Sequence, residues 1–437
     1  MFKVSEILEV CNGELLMGNP EQTVDQFYKD SREKSPDSMY LAIVGENFDG
    51  NQYFEDALNN GAIGCIINKN IEEEISKKYK DKIIIKVEDT IKAIQNLAKY
   101  KREQYNIPVV AITGSVGKTS TKDIVKSVMS KKYTVLSTEG NENNEIGLPL
   151  TLLKLKEHNA IVLEIGMNHF GEIRTLTNIA KPTVVIINNI GTAHIGNLGS
   201  REGILKAKLE ILEGLKENGV FILNNDNDLL SLWNKENKEK YNTTTFGIEN
   251  HSDFMAHNII SNENGSKYDI NIDDNTYNVE VPVGGEHFIL NSLCAFSVGK
   301  ILNIEEGKII DAIKEFELTK MRMDIIKKND IVIINDAYNA SYDSMKYTLK
   351  YLGCLLNKRK IAVLGDMLEL GEYSKELHEK VGKEVVKNKI DILIIIGENS
   401  KYIASIAIEK GMNENDIYKC ETIGEVITEV KRIVTTW

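Results

Sequence analysis

Residues 109–133 read VVAITGSVGKTSTKDIVKSVMSKKY, and the fold of the chain turns on them. A strand-length run, VVAIT, leads into Gly114-Ser115-Val116-Gly117-Lys118-Thr119-Ser120 and then directly into a helical period. A glycine-rich turn at a helix N-terminus gathers unpaired N–H groups and the positive end of the helix dipole onto an anion. Gly114 and Gly117 let the backbone approach phosphate oxygens, with Ser115, Val116 and Ser120 completing the loop. Lys118 supplies a point charge and Thr119 a hydroxyl for Mg2+. The longer pattern G-x-x-x-x-G-K-[ST] needs glycine where this chain has Ile112, so the shorter T-G-x-x-G-K-T-S form stands. ATP is the expected occupant.

Working outward, Pro108 opens the strand, a position where a missing N–H is tolerated, and a helical segment from Thr90 to about Tyr105 precedes it. Downstream, apolar runs alternate with helical periods. VVAIT, AIVLEIG, TVVIINNI and VFILN are separated by TKDIVKSVMSKKY, an H-x-x-x-I-x-x-L helix and REGILKAKLEILEGL. Such alternation predicts a mostly parallel sheet with helices on both faces. YDINI and YNVEV, joined by DDNT, predict an antiparallel insert. A second α/β series is expected to start at IVIIND and to continue through KIAVLGD and DILIIIGE. Upstream, MYLAIV, the turn cluster GENFDGN, EDALNNGA and IGCII read as a small α/β unit. The expected fold is α/β in three domains: 1–84, a small N-terminal α/β unit; 85–317, a central P-loop ATPase-like unit; and 318–437, a C-terminal Rossmann-like unit.

The chain has 437 residues, 42% hydrophobic and 27% charged, enough for several cores. A formal net charge of −12 argues against a nucleic-acid partner, whose capture needs excess Lys and Arg. No apolar run reaches bilayer length, and the opening MFKVSEILEVCNG has neither a basic leader nor a small-residue cleavage site. A cytoplasmic location without membrane insertion is therefore expected, and a monomer. Cys11, Cys65, Cys294, Cys354 and Cys420 form no C-x-x-C pair, and buried reduced thiols are expected.

Open α/β sheets bind ligands beyond the carboxyl ends of their strands. Glu164 interrupts the apolar strand IVLEIGM there, and His194 follows TVVIINNIGTAH in the equivalent position. On a helix from about Ser200 to Leu215, residues Ile204, Leu205, Ala207, Ile211, Leu212 and Leu215 define the apolar face. Lys208 projects from the middle of that face, with Lys206, Glu210 and Glu213 on the other side. An inward lysine loses hydration, which favours its neutral amine. Such an amine can add carbon dioxide and become a carbamate, an oxygen donor suited to Mg2+.

The segments TGSVGKTSTKDIV, GNENNEIGLPLTLL, LEIGMNHFGEI, TAHIGNLGS, the AKLEIL helix, GEHFILN and NDAYNASYDSM together resemble the Mur ligases. DSREKSPDSMYLAIVGENFDGNQYF is similar to the nucleotide-sugar-binding domain at their start. Several of these stretches resemble in particular the members that add D-alanyl-D-alanine to a UDP-linked muramyl tripeptide in peptidoglycan synthesis. The resemblance implies that ATP phosphorylates the tripeptide carboxylate and that the dipeptide amine attacks the acyl phosphate. It further implies Mg2+ handled by Thr119, Glu164, His194 and a carbamylated Lys208, with Lys118 and the loop amides on the β and γ phosphates. Asn143 and Asn144 would stand near the phosphates, Asn291 against the adenosine, Arg322 at the γ-phosphate and Asp336 at the ribose. Ser31 and Arg32 would meet the uridine nucleotide, and Asn339 and Ser344 the incoming dipeptide. Departures from the family pattern are Asn51, Phe288, Lys320 and Tyr342. Two alternatives stay open: another amide ligase of the superfamily, with a different amino acid, folate or polymer acceptor, and a nucleotide-binding regulatory module.

Overall fold

A computed structural model describes residues 1–45 and 47–435. Glu46 of the expected turn cluster and the last two residues of the expected third domain lie outside the described residues. The central sheet has nine strands, and the strand Val109–Thr113 runs parallel between Ala160–Glu164 and Val184–Ile187. Successive side chains of a strand face opposite sides. Val110 and Ile112 accordingly pack with Ile124, Val125 and Phe288, while Val109 and Ala111 pack in the core that holds Leu148 and Ile173. This two-sided burial explains why VVAIT reads as an unbroken run. The helices Lys118–Ser130 and Glu286–Ile301 lie against each other, and Thr90–Glu103 packs on Gly147–Leu153 and Glu172–Ala180. The sheet ends in the antiparallel strands Phe254–Asn262, Gly265–Ile272 and Asn275–Val281, the expected insert.

Upstream, five strands form a sheet in the order Glu14–Met17, Ile83–Lys86, Gly64–Ile67, Ser38–Leu41, Gln26–Tyr28. The strand Ile83–Lys86 spans the expected division at 84–85. Downstream, Ile361–Leu364, Ile392–Ile396 and Ile417–Cys420 form a parallel three-stranded sheet. The run IVIIND does not open this series. Ile331–Asn335 instead pairs antiparallel with Asp324–Lys328 in a separate ribbon, where Ile331 and Ile333 are exposed. Asn329, at φ 54°, turns the chain back at this point, and a short apolar run does not reveal which sheet receives it.

Cys65, Cys294 and Cys420 are buried and Cys11 is half-buried, but Cys354 is exposed. It is the last residue of the helix Tyr342–Cys354, which buries Leu349 and Tyr351 instead. No helix among the described residues is long and apolar enough to cross a membrane.

Candidate active site

The loop after Val109–Thr113 is held by the segment that follows the neighbouring strand. Asn189 Oδ1 accepts from Ser115 N at 3.1 Å and Val116 N at 2.9 Å, and Gly191 N donates to Ser115 Oγ at 2.9 Å. Asn188 Nδ2 donates to Thr121 Oγ1 at 2.7 Å. Two amides expected to face phosphate are therefore used to fix the loop. The amides of Lys118, Thr119 and Ser120 open the following helix, where the helix itself offers them no acceptor. Gly117 has φ 82°, and a Cβ there would stand 3.2 Å from Asn291 Oδ1. The loop thus needs glycine for its turn and for the close approach of Asn291.

Glu164 is buried at the end of its strand with both oxygens engaged. Oε2 accepts from Thr119 Oγ1 at 2.8 Å and Oε1 from Asn143 Nδ2 at 2.7 Å. Asn144 turns the other way, its Oδ1 accepting from Gly147 N at 2.9 Å to start the next helix. Lys118 Nζ donates to Gly114 O at 2.9 Å. Burial lowers the Lys118 pKa, Glu164 opposes the shift and Arg322 adds to it.

Lys208 is 1% exposed, and burial followed by the charge of Lys118 drives its pKa well below the ordinary value. His194 is lowered too, first by burial and then by Lys118 and Lys208, with Glu369 opposing. The four sequence-predicted groups Lys118, Glu164, His194 and Lys208 therefore share one charged neighbourhood. The helix expected from Ser200 to Leu215 is an α-helix only over Arg201–Leu209 and tightens to a 3-10 turn over Glu210–Gly214. Gly214 lies so close to Thr177 that an added Cβ would sit 2.3 Å from its carbonyl oxygen. Glu210, expected on the outer side, points inward and accepts from Gly171 N at 2.9 Å and Arg174 N at 3.1 Å. Periodicity assigns one face per turn and misses a carboxylate that caps a neighbouring helix.

The third unit completes the site. A cavity of about 40 Å3 is lined by Gly117 and Ser120 from the loop and by Arg322, Asp336, Asn339 and Ser344 from beyond the linker, residues 316–320, that follows the helix Glu306–Glu315. It shares His287 and Tyr347 with a cavity of about 220 Å3 that reaches Cys354. Asn291 Nδ2, His287 Nδ1 and Arg322 Nε are buried with no hydrogen-bond partner among the described residues. Buried polar atoms left unpaired are costly, so three of them around Gly117 and this crevice fit a polar ligand. The Arg322 guanidinium lies 3.9 Å over the Tyr338 ring, between Met321 at φ 63° and Met323 at φ 53°. Asp123, on the helix after the loop, accepts from Thr319 N at 3.1 Å and Thr319 Oγ1 at 2.8 Å, tying the linker to the loop.

Two family models match the chain: the Mur ligase middle domain over residues 112–299, and the Mur ligase glutamate ligase domain over residues 321–436. The chain belongs to the Mur ligase family. The UDP-N-acetylmuramoyl-tripeptide--D-alanyl-D-alanine ligase of Bacillus subtilis (strain 168) is 36% identical over 410 residues, covering 93% of this chain and 87% of that protein. A crystal structure of MurF from Acinetobacter baumannii aligns with TM-score 0.90 at 29% identity, covering 100% of this chain and 93% of the other. MurF from Thermotoga maritima in complex with ADP aligns with TM-score 0.78 at 28% identity, covering 91% and 93%.

In this Mur ligase, Ser31 and Arg32 lie far along the chain from the phosphate loop, lining a cavity of about 650 Å3 with Tyr40, Phe48, Tyr53 and Asn60. Arg32 is paired with Asp30 at 2.6 Å, and that pairing pulls the Asp30 carboxyl down to about 2. Phe48 and Tyr53 stack at 5.6 Å beside them, an aromatic platform that the turn-rich GENFDGNQYF stretch does not advertise. His287, Asn188, Asn189, Asp123 and Glu369 are further residues that sequence reading missed. Asn188, Asn189, Asp123 and Glu369 act through neighbours distant in sequence, whereas GEHFILN, with a polar residue opening an apolar helix, carried a local signal for His287.

Burial holds the His287 imidazole at about 4, against 6.5 when free. The unfolded chain thus binds more protons between those values, so this contribution is complete above pH 6.5 and lost as pH falls towards 4. Denaturant midpoints of the wild type should decline across that window, and His287→Phe should flatten part of the slope. Equal slopes for the two proteins would contradict the burial of a neutral imidazole.

Proposed function

We propose that this chain is an ATP-dependent amide-forming ligase that joins D-alanyl-D-alanine to UDP-N-acetylmuramoyl-tripeptide in peptidoglycan precursor synthesis. The single observation that carries the reading is the crevice where Gly117 and Ser120 meet Arg322 and Asp336 across the linker. A carboxylate is a poor acylating agent, and its conversion to an acyl phosphate by ATP makes attack by an amine productive. The protein supplies positioning and charge for that transfer.

Within this reading, residues 1–84 hold the UDP substrate through Ser31 and Arg32. Residues 85–317 hold ATP, and residues 318–437 close over it. Lys118 Nζ and the amides of Lys118, Thr119 and Ser120, which the helix leaves without acceptors, grip the β and γ phosphates in the loop of residues 114–120, with Asn143 and Asn144 nearby. Asn291 faces the adenosine, Asp336 the ribose and Arg322 the transferring phosphoryl group, while Asn339 and Ser344 border the approach of the dipeptide. Tyr342, where the family pattern differs, opens the helix that carries Ser344 and bears on how strictly the dipeptide is chosen.

Among the described residues no cluster of three or more His, Cys, Asp or Glu side chains is arranged to hold a metal. The set Thr119, Glu164, His194 and Lys208 nevertheless fits Mg2+, which takes few protein ligands and keeps water and phosphate oxygens. A carbamate on Lys208 adds the oxygen donor that a neutral amine lacks. When bound, Mg2+ neutralises charge on the phosphate oxygens. The enzyme acts in the cytoplasm as a monomer, without nucleic acid.

The test is ADP release and product mass with a panel of acceptors and amines. UDP-muramyl tripeptide with D-alanyl-D-alanine is expected to give the amide. Turnover with folate plus glutamate, or with a single amino acid, but not with this pair would replace the reading by another ligase of the family. ATP binding without amide formation from any pair would favour a regulatory module.

A further inference from the structure

The third unit reaches the metal and phosphate neighbourhood through a loop that the ligase reading does not use. Residues 365–371, GDMLELG, follow the strand Ile361–Leu364. Asp366 anchors the loop's start by accepting from Ser400 N at 2.7 Å. Met367 and Leu370 are buried, and Met367 N donates to His378 Nε2 at 3.0 Å. Between these anchors the chain turns Glu369 outward at φ 62°, a left-handed conformation uncommon for a residue with a side chain. Its carboxylate meets His194 Nδ1 at 2.6 Å, and its carbonyl accepts from Gly196 N at 3.2 Å. His194 is itself left-handed, at φ 63°. The two loops also meet at glycines: a Cβ on Gly196 would stand 2.7 Å from Glu369 O and 2.8 Å from Gly371 N. Tyr373 Oη donates to Gly199 O at 2.6 Å, and Asp343 accepts from Thr192 N at 2.6 Å on the same front. The contact is therefore built on both sides rather than a chance meeting of surface side chains.

A carboxylate can accept from an imidazole only through an N–H, so this contact puts the proton on Nδ1 and leaves the Nε2 lone pair free. We propose that Glu369 is a positioning residue: as the third unit closes, its carboxylate fixes the tautomer and orientation of His194, so that the histidine becomes a competent ligand only in the closed enzyme. The device links domain closure to assembly of the phosphate-handling site. A carboxylate behind a ligating histidine sets both the ring's direction and its basicity. The inference rests on the ligase reading only for the consequence of this control; the geometry stands without it.

The test is a nitrogen-15 histidine spectrum of the full chain, recorded alone and with a nonhydrolysable ATP analogue in EDTA. The chain has seven histidines, so His194 is assignable by its loss in a His194→Gln spectrum. The wild type is expected to show a protonated Nδ1 and an unprotonated Nε2 at His194. Glu369→Ala should abolish that signature, while Glu369→Gln, whose amide oxygen still accepts, should retain it. In turnover assays, Glu369→Ala should lose roughly 10- to 100-fold in kcat and need more Mg2+ for half-maximal rate, with KM for the UDP substrate unchanged within about twofold. Glu369→Gln should recover much of the loss. An unchanged His194 signature in Glu369→Ala under both conditions would overturn the proposal. A lost signature in a chain that forms no amide would sink the ligase reading and leave this inference standing.

Discussion

Lys118→Ala is expected to lower kcat by roughly 10³-fold, about 4 kcal/mol of transition-state stabilisation. The lysine begins the helix that closes the loop, with Glu164 and Arg322 near enough to shift its pKa in opposite directions. Burial lowers that pKa, so a bound polyphosphate supplies the negative charge that keeps the ammonium protonated. In the proposed ligase the dependence is mutual: phosphate would charge the lysine, and the lysine would neutralise charge as the phosphoryl group leaves. Alanine removes this while leaving the loop's hold on Asn189 intact, because that hold uses the amides of Ser115 and Val116. The effect should fall on kcat and on KM for ATP, with KM for the UDP substrate little moved. Steady-state ADP release decides it, and a rate near wild type would remove the phosphate-loop assignment.

The strand, loop and helix around Lys118 were legible because their determinants are local. A strand buried on both faces, two glycines, a lysine and a helix start all fall within one short stretch, and each leaves a mark in sequence. Lys208 was legible for a related reason, since a charged residue among Ile204, Ala207 and Ile211 violates helical periodicity. Glu210, two residues further on, was misjudged because the α-helix tightens to a 3-10 turn at that point, and the amides it caps are those of Gly171 and Arg174. The run IVIIND misled for a different reason. Apolar runs report burial, not which sheet a strand joins, and here the ribbon leaves alternate isoleucines exposed. Least legible were the contacts across the linker. Asp123 with Thr319, and Glu369 with His194, join residues more than a hundred positions apart, through side chains that any surface loop could carry.

Lys208→Ala should abolish most ligase activity, by about 10²-fold or more, with partial recovery in formate or acetate. The wild-type lysine is nearly fully buried beside Lys118, and an ammonium there would add a second positive charge where desolvation already penalises the first. The neutral amine escapes that penalty but offers Mg2+ no oxygen. Addition of carbon dioxide to the amine, with release of one proton, replaces a nitrogen donor by an anionic carboxylate and reverses the sign of the charge facing Lys118. Small carboxylates should therefore substitute in the alanine variant, entering the space the side chain vacates, whereas chloride at equal ionic strength should not. Depleting bicarbonate should lower wild-type activity and leave the alanine variant's residual rate unchanged, since only the lysine can capture it covalently. Full activity in Lys208→Ala would eliminate the carbamate. A deficient variant that no carboxylate restores would leave the lysine a packing residue whose loss distorts the helix beneath His194.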